Sequence, residues 1–230
     1  MARTPGLRTM PIKEVARQLE KARADRSDLY APLSAVRLKL RDPLGVAEQR
    51  FGLSIENRHG TDDLALTPTA LQQLCAISNM PLAFLERAPA SVGLQALRTM
   101  LSVAAESNEK RFLWRLQGQR RPKKGKLCAV LPQSYVRIRD EEVFSAVAKA
   151  SDGMPLRVSH VTIDDDTLSV RLLRPEKLDI GHTRDSDPAY PGIHIISSET
   201  GQHPLQVRHV LLRVVCLNGI TQLADAQQTL

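Results

Sequence analysis

Two hydrophobic periods divide this chain, and where each one runs constrains the fold more than any short motif does. In "SAVRLKLRDP", Val36, Leu38 and Leu40 alternate with Arg37, Lys39 and Arg41, so period two predicts a half-buried strand with a cationic outer face, ended at Asp42-Pro43. "FGLSIENRHG" reads as a second short strand running into a turn. Between about residues 65 and 107 the period becomes helical. Thr67 is a good N-cap with Pro68 at the first helical position, and Leu71, Leu74 and Ile77 form a buried stripe that ends at Asn79. Pro81 opens a short helix through Arg87, and a longer one from about Ser91 to Glu106 turns Leu94, Leu97, Leu101 and Ala104 inward. Strands return at 111–117 and 127–131, and 156–163 with 167–173 read as a hairpin around Asp164, Asp165 and Asp166. "DEEVFSAVAKA" starts as a helix should, with Asp140, Glu141 and Glu142 at the positive end of its dipole. "IHIISSETG" and "LQVRHVLLRVVCLNG" suggest a last apolar pair, after a polar surface loop.

This order of elements predicts an α+β protein: an antiparallel sheet of several strands, a helical insertion at about 65–107, and a basic β-hairpin. The expected organisation is a basic tail and N-terminal helix over residues 1–32, followed by a single α+β domain over 33–230. Ile12, Val15, Ala16, Leu19 and Ala22 give that first helix its apolar face. Apolar residues at 42% and charged residues at 25% suit a globular chain of 230 residues, and an aromatic share of 3% leaves the core to Leu, Val, Ala and Ile.

Lys and Arg outnumber Asp and Glu by 32 to 25, a formal charge of +7. Such an excess favours a polyanionic partner, nucleic acid before acidic membrane. With no apolar run of about eighteen residues or more, no membrane helix is expected, and the N-terminus lacks the apolar stretch of a secretory signal. Cys75, Cys128 and Cys216 are odd in number and far apart, which fits reduced, buried thiols in a cytoplasmic protein better than a disulfide framework or zinc knuckle.

The basic segment "KRFLWRLQGQRRPKKGK" carries Lys110, Arg111, Arg115, Arg120, Arg121, Lys123, Lys124 and Lys126 without one acid. A hairpin so charged can follow a phosphate backbone, and Trp114 or Phe112 can offer a stacking face to an unpaired base. The alternative is that Phe112 and Trp114 share the core side of their strand and that the tip is solvated. Arg37, Lys39 and Arg41 make a second cationic face. "GQRRPKKGK" is not a phosphate-binding loop of the nucleotidase type. Six residues separate Gly118 from Gly125, and Leu127 stands where a magnesium-binding Ser or Thr belongs.

Catalysis finds less support. Asp164, Asp165 and Asp166 can hold a divalent metal, but adjacent Asp residues more often build a turn. His194, Glu199, His203 and His209 are close in sequence without the spacing of a zinc helix, and no cofactor motif is present. Glu199 is expected either to pair internally with Arg208 or Arg213 or to serve a site.

Residues 192–220, "GIHIISSETGQHPLQVRHVLLRVVCLNGI", resemble the signature of a phage- and plasmid-borne family catalogued as domain of unknown function 932. There a Gly-led strand reaches an Asn-Ser-Glu-x-Gly turn, and a later segment ends in Arg-x-x-Cys-x-Asn-Gly. Gly192, Ser198, Glu199, Gly201, Arg213, Cys216, Asn218 and Gly219 match, whereas Ser197 stands where the family usually has Asn. The family also extends further beyond Asn218-Gly219 than this chain does. Upstream, "LTPTALQQLCAISNMPLAFLERAP" and "LCAVLPQSYVRIRDEEVFSAV" look like the family's helices and its Ser-x-Tyr turn, carried by Ser134 and Tyr135, so the resemblance covers roughly residues 50–220. It implies a mobile-element context and no established activity.

The function expected from these readings is a non-catalytic DNA-binding accessory protein of a phage or plasmid. Single-stranded DNA is the favoured partner, in recombination or replication, with a homo-oligomer suggested by fold-level analogy to annealing proteins. The alternatives are a metal-dependent nuclease and a protein-binding modulator of host machinery.

Overall fold

The computed structural model describes residues 11–24, 26–57, 60–61, 63–107, 111–118, 125–164, 166–176, 178, 189–214 and 221–226. Helix α1 (Ile12–Arg23) leads into strands β1 (Arg26–Pro32) and β2 (Val36–Leu40), then α2 (Ala47–Arg50), β3 (Phe51–Asn57), β4 (Gly60–Thr61) and β5 (Leu64–Leu66). Three helices follow, α3 (Pro68–Ile77), α4 (Leu82–Arg87) and α5 (Ala90–Ser107), before the paired strands β6 (Arg111–Gln117) and β7 (Gly125–Pro132). The chain continues through α6 (Asp140–Ala150), β8 (Arg157–Ile163), β9 (Leu168–Leu173), β10 (Ala189–Ser197), β11 (Gln206–Val214) and β12 (Thr221–Ala226). The fold is α+β, with two sheets. Among the described residues no helix is long and apolar enough to cross a membrane.

Its contacts divide between two compact units, one of residues 23–137 and one built from α1 with the described residues from 138 onward. The sequence reading expects one domain from residue 33 to the end. Local periodicity locates strands but carries no record of which strands share a sheet, so the division is invisible to it.

In the 23–137 unit a seven-stranded sheet runs β1-β6-β7-β5-β3-β2, with β4 paired to β3. Its pairs are antiparallel except β5 with β7, which are parallel. The three helices and β6 lie between those two strands in sequence, and a parallel pair needs a long connection of that kind. The expected helical insertion is this connection. Leu38, Leu53, Ile55, Leu64, Trp114 and Leu116 face Leu71, Leu74, Leu85 and Leu97 in one core, so α3, α4 and α5 cover one face of the sheet. Strand β1, assigned to the tail by sequence, pairs along its whole length with β6.

The other unit holds a five-stranded antiparallel sheet in the order β12-β11-β10-β9-β8. Val15 and Leu19 of α1 and Val143 and Phe144 of α6 pack with Val158, Leu168, Val170, Leu172 and Ile195 in its core. The predicted hairpin around residues 164–166 is present as β8 and β9, paired from Ile163 with Leu168.

Candidate nucleic-acid interface

Alternation along each strand sends every second side chain of the seven-stranded sheet away from its helices. Residues directly opposite one another on paired strands share a face. Lys39 lies opposite Gly52, Gly52 opposite Ala65, and Ala65 opposite Lys126. Lys126 in turn lies opposite Gln117, and Gln117 opposite Arg26. One transverse row on the face away from the helices therefore reads Lys39, Gly52, Ala65, Lys126, Gln117, Arg26, and further along β6 the same face is covered, at Arg115 and Leu113. The two cationic patches of the sequence, on β2 and at the base of the β6–β7 hairpin, meet on one surface.

Three inter-strand steps separate Lys39 from Lys126, about 14 Å, with Gly52 and Ala65 between them and the Arg41 side chain lying over Gly52. Gly52 is required there: a Cβ on it would lie 2.3 Å from Cδ of Arg41, whose side chain crosses it, and 2.9 Å from the Leu64 carbonyl oxygen.

The β2 cations are partly neutralised. Lys39 Nζ lies 2.7 Å and Arg41 Nη1 3.5 Å from the same Asp63 oxygen, and Arg37 Nε is 3.6 Å from Glu56. These pairs are solvent-accessible, so each contributes about 0–1 kcal/mol and opens readily for a competing anion. Among the described residues three cations of this patch share these two carboxylates. Lys126 is exposed. Arg111 is exposed too, and its Nη2 donates to the Tyr30 carbonyl at 2.6 Å.

Two residues of the expected site are corrected. Trp114 is 0% exposed, and its Nε1 donates to the Ala31 carbonyl at 2.9 Å, so its ring offers no face to a base. Period two puts it beside Phe112 and Leu116 on the side that the helices cover. Arg115 is also 0% exposed, and its Nε donates to Asp28 Oδ1 at 3.0 Å. Arg137 donates to the second oxygen of the same carboxylate at 2.5 Å. Arg115 is thus one member of a buried ion cluster, unavailable to a phosphate. Lys110, Arg120, Arg121, Lys123 and Lys124 lie outside the described residues.

The chain matches no family model, no curated protein and no solved structure. The resemblance to domain of unknown function 932 rests on its motif residues alone.

Of those, Ser198, Glu199, Gly201 and Arg213 lie within the described residues, and Cys216, Asn218 and Gly219 outside them. Gly201 has φ +76, the left-handed conformation a tight turn takes from glycine. In that turn Ser198 Oγ accepts the Gln202 amide at 3.1 Å. Glu199, 2% exposed, accepts the Asp140 amide at 2.7 Å, which fixes a carboxylate at the positive end of α6. The sequence reading offers Glu199 two arginines or a site and misses this helix terminus, because nothing local announces a partner 59 residues away.

The residues proposed for metal are distributed. Asp164 Oδ1 accepts the amides of Asp166 and Thr167, building its own turn. His194 lies opposite Arg208 and His209 opposite Ile193, so the two histidines occupy opposite faces of the five-stranded sheet. Asp165 lies outside the described residues. Among the described residues no three His, Cys, Asp or Glu side chains gather closely enough to hold a metal ion.

Proposed function

We propose that the protein binds nucleic acid without catalysis, holding the phosphate backbone of single-stranded DNA along the cationic row on the face of its seven-stranded sheet opposite the helices. The observation that carries this reading is the row that joins Lys39 to Lys126 across Gly52 and Ala65, with the Arg41 side chain over Gly52. Cations gathered on one sheet face neutralise phosphates, and counterions released from the strand drive the association. Arg37 and Arg41 extend the same surface. The phage and plasmid context of the resembled family suits an accessory role in recombination or replication.

Fluorescence anisotropy with labelled single- and double-stranded DNA over a salt series tests it. Wild type should bind single strands with a log–log salt slope of about −0.7 per phosphate neutralised. The Lys39→Ala/Arg41→Ala/Lys126→Ala variant should bind more weakly, with a slope shallower by about 2 if each cation meets one phosphate. Absence of binding at low salt would overturn the proposal in favour of a protein partner. Strand cleavage dependent on magnesium or manganese would overturn its non-catalytic part.

A further inference from the structure

We infer that Tyr30, rather than Trp114, is the ring on which an unpaired base stacks, and that Tyr30 with Arg111 forms a one-nucleotide subsite at the β1 edge of the sheet. This rests on the nucleic-acid reading above and names the part of the ligand that it leaves open, the base.

Tyr30 lies opposite Leu113 on β6, four residues along β1 from Arg26, and so shares the face of the cationic row. It is 45% exposed, in contrast to Phe51, Phe112, Trp114, Phe144 and Tyr190, all of which are buried. Phe84, at 42%, is the other aromatic ring exposed to this degree, but it belongs to α4 in the layer on the opposite side of the sheet. Arg111 lies opposite Pro32, diagonal to Tyr30, and its hydrogen bond to the Tyr30 carbonyl holds the guanidinium at the Tyr30 backbone. Tyr30 stands at the margin of a covered part of that face: Leu113, opposite it, is 1% exposed and joins Ala129 and Leu131 in a small cluster against which Tyr135 packs.

This juxtaposition matches one nucleotide. An exposed ring takes the π-face of any base, and a cation at its side takes the phosphate. A duplex presents no free base face, so the subsite selects unpaired strands.

The test compares Tyr30→Ala, Tyr30→Phe and Phe84→Ala with wild type by anisotropy on single- and double-stranded DNA. Tyr30→Ala should weaken single-strand binding by about 5- to 150-fold, leave double-strand binding unchanged, and keep the wild-type salt slope. Tyr30→Phe should bind as wild type does, and Phe84→Ala should change nothing. Arg111→Ala should instead make the slope shallower by about 0.7. A Tyr30→Trp variant should add an emission that single-stranded DNA quenches, which a merely structural ring would not. If wild type binds and Tyr30→Ala binds equally well, or loses both strand types alike, the subsite is wrong while the phosphate-binding face stands. If wild type binds no nucleic acid, both readings fall.

Discussion

Asp28 holds two guanidinium groups with one carboxylate, and Arg115 is the member that cannot do without it. The Arg115 side chain is 0% exposed and that of Asp28 12%, whereas Arg137, at 29%, keeps some contact with water. Removing the carboxylate takes the ion-pair partner from a guanidinium that is 0% exposed, a change that typically costs about 3–5 kcal/mol. Asp28→Ala should therefore lower the unfolding free energy by that order in urea titrations. Replacing both members of the pair, as Asp28→Leu with Arg115→Met, should cost much less, because no buried charge remains. Equal losses in the single and double variants would show that the pair is not what the site depends on. The same pair explains why the sequence misleads at this position. Arg115 sits in a run of cations and reads as one of them, but its partner lies 87 residues upstream. A window of a dozen residues sees the charge and cannot see what neutralises it.

The elements that were legible are those whose causes are local. Thr67 precedes a proline and an apolar stripe, and its side chain accepts the Ala70 amide at 3.2 Å as a helix cap should. Its hydroxyl also donates to the Cys128 carbonyl at 3.1 Å, a contact with β7 that periodicity does not reveal. Thr67→Ala should cost about 0.5–2 kcal/mol through the cap, with about 1 kcal/mol more for the stranded carbonyl. Thr67→Ser should recover most of it in the same denaturation assay. No loss in the alanine variant would mean that α3 does not depend on its cap. The β8–β9 hairpin was legible for a related reason, since Asp164 bonds the amides of its own turn. Strand β1 was not: "RSDLYAP" alternates poorly, ends in proline, and is a strand because β6 lies beside it. The binding face was illegible for the most general reason. Lys39 and Lys126 lie on one row only because the registers of β2, β3, β5 and β7 compound, and no single strand encodes that sum.

At the scale of the whole molecule, chain connectivity makes the two units unequal. Residues 23–137 are continuous and carry a complete helix-covered sheet, whereas the other unit needs α1 from before them as well as the strands after them. Val15 and Leu19 of α1 are 0% and 1% exposed in that second core, so a chain beginning at residue 138 would lose two of its most buried side chains. Each such deletion opens a cavity of the kind that typically costs about 2–5 kcal/mol, against a total domain stability of about 5–15 kcal/mol. Residues 23–137 expressed alone should thus unfold cooperatively, as followed by circular dichroism, and residues 138–230 alone should not. Every described residue of the proposed interface, from Arg26 to Lys126, lies within the first fragment. That fragment should bind single-stranded DNA with the salt slope of the full chain. A folded fragment with a markedly shallower slope would mean that cations outside residues 23–137 carry part of the phosphate contact, and the interface would have to be drawn across more of the chain than the cationic row of this sheet.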